Sequence, residues 1–153
     1  MTQPNVRIVL VEPEIPHNTG AIGRTCVALD IELILIKPYG FSLDQKTVQR
    51  AGTRYWQFVR LSEYDSWDDF IKDRVPDPSN LYLFEEDGET SFYDADYSGD
   101  VYLVFGKEST GLPKELQVAM SERRFHVPMK NDRVKSLNLS NVATAVVYQA
   151  LRP

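Results

Sequence analysis

Apolar residues along this chain fall in short blocks separated by polar, proline- and glycine-marked breaks. VRIVLVE (6–12) and IELILIK (31–37) are β-branched apolar runs, the pattern of strands buried on both faces. Tyr55–Val59, LYLFE (81–85), VYLVF (101–105) and FHVPM (125–129) predict four more. Between these runs the apolar spacing widens to three and four. Ile22, Cys26 and Leu29 predict a helix over 19–29 capped by Asn18. Ser42 and Gln45 make a capping-box pattern for a helix ending before Gly52. Ser62 opens a helix over 63–73, and Pro113 occupies the first turn of a helix over 113–121. The apolar stretch 138–151 is the last helix, preceded by a polar loop at 130–137.

Strands that alternate with helices of about ten residues predict an α/β domain with a mainly parallel sheet covered on both faces. Ligands in such folds sit beyond the carboxyl ends of the strands. The loops there are 12–18, 38–41, 85–88, 106–112 and 129–137, so the chemistry belongs among them.

Length and charge refine this picture. The 153 residues make one domain, 1–153. A single cysteine excludes a disulfide framework and a Cys-based zinc site. No apolar run approaches a membrane span, and the N-terminus lacks the pattern of a cleaved leader. The expectation is a soluble cytoplasmic protein with no membrane association. The net charge of −5 is segregated: residues 37–60 hold five basic groups against Asp44, residues 61–100 two against thirteen acids, and residues 101–153 eight against four. Two basic blocks around an acidic middle allow one basic face suited to nucleic acid.

The common catalytic motifs are missing. Gly106-Lys107 follows Val101 where a P-loop needs glycine. Gly20-x-x-Gly23 lies inside a predicted helix and is no dinucleotide fingerprint. No Ser occupies a G-x-S-x-G elbow, and no cluster has metal-ligand spacing, so no metal is expected. Three segments stand out instead: Asn18-Thr19-Gly20-Ala21-Ile22-Gly23-Arg24, LVFGKESTGLP, and Lys135-Ser136-Leu137-Asn138-Leu139-Ser140-Asn141. A helix cap explains one polar residue of the last segment, not five. Cys26 lies on an apolar helix face and reads as core, as does Trp56.

EPEIPHNTGAIGRT, FGKESTGLP and VPM…KSLNLSN resemble, in order, the three motifs of the SPOUT superfamily of RNA methyltransferases. Pro38-x-Gly40-Phe41 and Arg50-Ala51-Gly52-x-x-Tyr55-Trp56 are similar to the short subfamily that 2′-O-methylates the wobble nucleotide of certain tRNAs. The resemblance spans essentially the whole chain. It implies a C-terminal deep trefoil knot, a homodimer with a shared active site, and S-adenosylmethionine as cofactor. It also implies tRNA, gripped at the anticodon stem-loop, as substrate.

Carried over by motif, the donor pocket uses Phe84, Gly106, Val127 and Ser136, with Glu108, Gly111 and Leu137 nearby. Arg24 is the key catalytic residue, Asn18 a further catalytic candidate, and Ser140 and Asn141 candidates to position the ribose. A guanidinium stays protonated, so Arg24 suits a phosphate or a developing alkoxide better than a base's role. Arg50, Arg54 and Lys46 in the basic block are candidates to grip RNA, and Tyr148 matches a family tyrosine that also reads as a dimer-helix aromatic. A valine at position 106 is expected to enter donor space with the fold retained. The last helix carries more apolar surface than one core face needs, which suggests a two-fold interface. The competing readings are a knotted RNA-binding module without turnover, methylation at another tRNA or rRNA position, and an unrelated nucleotide-binding α/β protein.

Overall fold

The computed structural model describes residues 3–43 and 46–153. Gln45, the second half of the expected capping box, lies outside the described residues. Seven strands are β1 (Asn5–Val11), β2 (Glu32–Ile36), β3 (Leu61–Tyr64), β4 (Leu81–Phe84), β5 (Thr90–Ser91), β6 (Asp100–Phe105) and β7 (Arg124–His126). The helices are α1 (Pro16–Leu29), α2 (Lys46–Gly52), α3 (Trp67–Arg74), α4 (Lys114–Ala119) and α5 (Leu139–Ala150). The strands form one sheet in the order β3-β2-β1-β6-β4-β7-β5, and every pairing is parallel.

Alternating side chains along the central strands face two apolar layers. Ile8, Leu10, Leu33, Leu35, Leu103 and Phe105 pack with Ile22 and Cys26 of α1 and with Ala143, Val146, Val147 and Ala150 of α5. Val9, Val11, Ile34, Ile36 and Val104 pack on the other face with Phe70 of α3 and Leu116 of α4. Burial pushes the Cys26 thiol up to about 12, in keeping with a core residue.

Strand order reverses beside β1. From β1 the chain moves outward through β2 and β3, then returns to build β4, β6 and β7 on the other side. Leu10 pairs with Phe105, and Phe105 with Phe84, so β1, β6 and β4 finish level at their carboxyl ends. The loops leaving them part around a crevice, the place where α/β sheets hold ligands.

Several expected elements differ. Residues 53–58 form a 3₁₀ helix, not a strand, because Trp56 packs against α1. The third strand is Leu61–Tyr64, which pairs with β2. Ser62 is therefore a strand residue. Ser66 is the N-cap of α3, accepting from the Asp69 amide at 3.1 Å. Asn18 does not cap α1: the helix starts at Pro16 and Asn18 is buried in its first turn. Pro113 is the N-cap of α4 rather than its first residue. Most of the apolar surface of α5 is absorbed by its own core, with Ala143, Val146 and Val147 fully buried. Tyr148, expected as a family tyrosine or a dimer-helix aromatic, is exposed in this single chain.

Candidate active site

A cavity of about 500 Å³ opens at the crevice. Its walls come from the ends of β4 (Phe84, Glu85, Glu86) and β6 (Phe105), the loop 106–111, Val127 and Met129 after β7, and residues 136–139 leading into α5. Ile15 and Asn18 close it from the side of β1. Phe84 and Phe105 stack at 5.1 Å with planes 17° apart and make an apolar base. Cavities of this size enclose a nucleoside-sized ligand. Of the five loops expected to surround the site, 38–41 contributes nothing to these walls.

The loop after β6 is folded on itself and bound to its neighbours. Lys107 and Gly111 exchange backbone hydrogen bonds at 3.3 and 2.8 Å. Gly111 has φ +76°, a conformation that favours glycine. A Cβ on Gly106 would lie 2.1 Å from the Gly111 carbonyl carbon and 2.2 Å from the Leu112 nitrogen. This corrects the expectation for position 106: a valine there collides with the loop's own backbone before it reaches ligand space. The Leu112 amide donates to Glu85.

Carboxylates tie this loop to the start of α1. Glu108 accepts from the amides of Glu14 and Ile15, both at 2.9 Å, and from the Asn18 side chain at 3.1 Å. It thereby caps α1 from far away in sequence, where Ile15 has no capping side chain of its own. Glu14 accepts in return from the Ser109 amide at 2.9 Å and hydroxyl at 2.6 Å. Those two bonds hold the Glu14 carboxyl below the ordinary range. Asn138 donates to the Asn18 carboxamide oxygen at 3.1 Å and caps α5 by accepting from Ser140 and Asn141. Loop 106–112, α1 and α5 thus share one hydrogen-bonded network.

All seven expected donor-pocket residues, Phe84, Gly106, Glu108, Gly111, Val127, Ser136 and Leu137, line this single cavity. The catalytic candidates separate. Asn18 lines the cavity, while Ser140 bonds the Asn138 cap and Asn141 is exposed beside it. Arg24 is exposed on α1 outside the cavity wall, with its guanidinium 5.4 Å from the Tyr55 ring centre. Lys46 and Arg50 are exposed on α2, and Arg54 lies on the 3₁₀ helix, also 5.4 Å from the Tyr55 ring. Tyr148 does not reach the cavity.

Three contributors escaped the sequence reading. Glu14 and Ser109 lie within the motif segments, but only the fold shows them to be partners. Glu85 follows a fully buried strand, and a charge at that place was a usable signal. Burial raises its carboxyl above the ordinary range, and the Glu86 and Asp87 charges add to the rise. The Leu112 amide and Arg124 oppose it. Among the described residues, no group of His, Cys, Asp and Glu could hold a metal ion, and no helix is long and apolar enough to cross a membrane.

The chain is similar to known proteins. Residues 5–149 match the family described as SpoU rRNA methylase. A Listeria innocua protein provisionally named tRNA (cytidine(34)-2′-O)-methyltransferase is 47% identical, over 97% of this chain and 88% of its own. A solved structure described as giving insight into the 2-OH methylation of C/U34 on tRNA superposes with a TM-score of 0.88 at 37% identity. That match covers 96% of this chain and 94% of the other. AviRb from Streptomyces viridochromogenes, a SpoU methyltransferase solved with AdoMet, gives a TM-score of 0.83 at 26% identity. It covers 99% of this chain and 58% of that one.

Proposed function

The chain belongs to the SpoU rRNA methylase family, and on that premise we propose that it methylates the ribose 2′-hydroxyl of the wobble nucleotide, position 34, in tRNA. The methyl donor is S-adenosylmethionine and the target is cytidine or a modified uridine, with the reaction taking place in the cytoplasm. The observation that carries this reading is the cavity at the β1/β6 crevice, where seven motif-matched residues from four separate stretches of the chain meet. The 47% identity to a protein named for the cytidine-34 reaction points to the same nucleotide.

The residues present fit the donor. The stacked Phe84 and Phe105 offer an apolar base for a purine, the loop 106–112 offers backbone polar groups, and Glu85 and Glu86 suit a cationic ligand. S-adenosylmethionine supplies a methyl group already activated by its sulfonium charge. What remains for the chain is to bind, align the ribose hydroxyl and exclude water. Asn18, Ser136 and Asn138 line the cavity wall, and in this reading they orient polar groups of the donor and the ribose. Arg24 holds a phosphate beside the target and stabilises charge on its oxygen; Ser140 and Asn141 support the ribose side. Lys46, Arg50, Arg54 and Tyr148 contact the anticodon stem-loop.

The reading includes a C-terminal trefoil knot, in line with the meeting of loop 106–112 and segment 136–139 around one cavity. It also includes a homodimer. Arg24 lies outside its own chain's cavity, and a second copy supplies the arginine to each site. Exposed Ile15 and Leu137 at the cavity and Tyr148 on α5 suit such an interface. Incubation of the protein with labelled donor and bulk tRNA tests the activity. Methyl incorporation supports it; tight donor binding without incorporation would favour an RNA-binding module.

A further inference from the structure

We infer that Arg24, Tyr55 and Arg54 form a clamp for the RNA phosphodiester backbone beside the target ribose, with Tyr55 as the positioning residue. The inference rests on the RNA-methyltransferase reading and adds to it Arg54 as a second phosphate ligand and Tyr55 as the residue that organises the two arginines.

The clamp begins with Gly23. Trp56 lies across this glycine so closely that a Cβ there would be 2.5 Å from the indole edge. The contact docks the 3₁₀ helix on α1 and brings Tyr55 beside Arg24. The guanidinium carbons of Arg24 and Arg54 are each 5.4 Å from the Tyr55 ring centre, and Arg54 also approaches the Tyr55 hydroxyl at 3.4 Å. Two cations share one ring.

Neither has a carboxylate partner among the described residues, whereas Arg7, Arg60, Arg74 and Arg124 each do. A ring face holds a guanidinium through its π-electrons and leaves the N–H donors in the guanidinium plane free; the bond to the Tyr55 hydroxyl takes one of Arg54's five. Both arginines are exposed, and each keeps N–H donors for an anion. Guanidinium N–H groups match phosphate oxygens bidentately, and an anion bound at either arginine offsets the repulsion between the two like charges. One strand of RNA presents such anions at successive nucleotides.

The test measures binding of tRNA across a salt series, with donor binding, light scattering and thermal midpoints in parallel. Arg54→Ala is expected to weaken tRNA binding by about tenfold and to lower the log–log salt slope by about one, the signature of one lost phosphate contact. Its donor affinity and oligomeric state stay as in the wild type. Tyr55→Leu is expected to lose both tRNA affinity and turnover, and Tyr55→Phe, which keeps the ring, to restore them at an equal thermal midpoint. Arg54→Ala binding tRNA with wild-type affinity and slope would overturn the clamp. So would a loss of affinity accompanied by dissociation of the assembly, which would place these arginines against a partner's carboxylate. Wild-type protein that binds tRNA with the clamp's salt slope but transfers no methyl group leaves the clamp standing and removes the enzyme reading.

Discussion

The side chain of Asn138 donates to the carboxamide oxygen of Asn18 at 3.1 Å, joining the first turns of α5 and α1 across 120 residues of sequence. Asn18 is 3% exposed, and its own amide donates to Glu108. Asn18→Asp keeps the acceptor for Asn138 but sets a second carboxylate against Glu108. We expect it to destabilise the fold by about 1–3 kcal/mol, more than Asn18→Ala at neutral pH. Urea midpoints of the two variants check the order.

Gly106→Ala should lower the thermal midpoint and donor affinity together. The added carbon falls 2.1 Å from backbone and forces the loop 106–112 to move. Overpacking of this kind typically costs about 1–3 kcal/mol. Calorimetry with a melting curve separates this from direct obstruction of the ligand, which would lower affinity at an unchanged midpoint.

Glu85 links stability to pH. Its carboxyl is raised in the folded protein by burial first and by Glu86 and Asp87 next. Its favourable contribution is therefore complete below the unfolded pKa and is lost as pH rises through the higher folded value. Glu85→Gln keeps an oxygen for the Leu112 amide and removes the buried charge. The variant should gain stability relative to wild type as pH is raised from about 4 to about 7. A constant difference across that range would contradict the assignment.

Arg24→Ala should leave donor affinity near wild type, because the proposed role of Arg24 is toward the RNA, not the donor. Single-turnover methylation should fall on the order of 10²–10³-fold, the usual cost of removing a group that stabilises developing charge. Arg24→Lys should be a poor substitute, because a point charge lacks the planar fork. Near-normal turnover in Arg24→Ala would take the residue out of the catalytic set.

The central strands were legible because both faces of each are buried, so VRIVLVE and IELILIK are apolar throughout. The motif residues of the cavity were legible for a different reason: EPEIPHNTGAIGRT, FGKESTGLP and VPM…KSLNLSN resemble, in order, the motifs of a known superfamily. Misreadings clustered where tertiary contact overrides local pattern. Tyr55–Val59 has the look of a strand, but Trp56 has a glycine on α1 to cover, and the segment winds into a 3₁₀ helix. Ser62 and Ser66 both precede acidic stretches, and only pairing with β2 shows that the first belongs to a strand. Asn18 looked like a cap because its true partners, Glu108 and Asn138, lie 90 and 120 residues away. The bonds of Glu14 with Ser109 were invisible for the same reason: distant loops meet only once β1 and β6 are neighbours.

Mapping of ribose methylation in tRNA after reaction with the purified protein and S-adenosylmethionine tests the central claim most directly. The account predicts a 2′-O-methyl group on nucleotide 34, absent when donor is omitted and greatly reduced with Arg24→Ala. Methylation at a base, or at a ribose other than that of nucleotide 34, would contradict it.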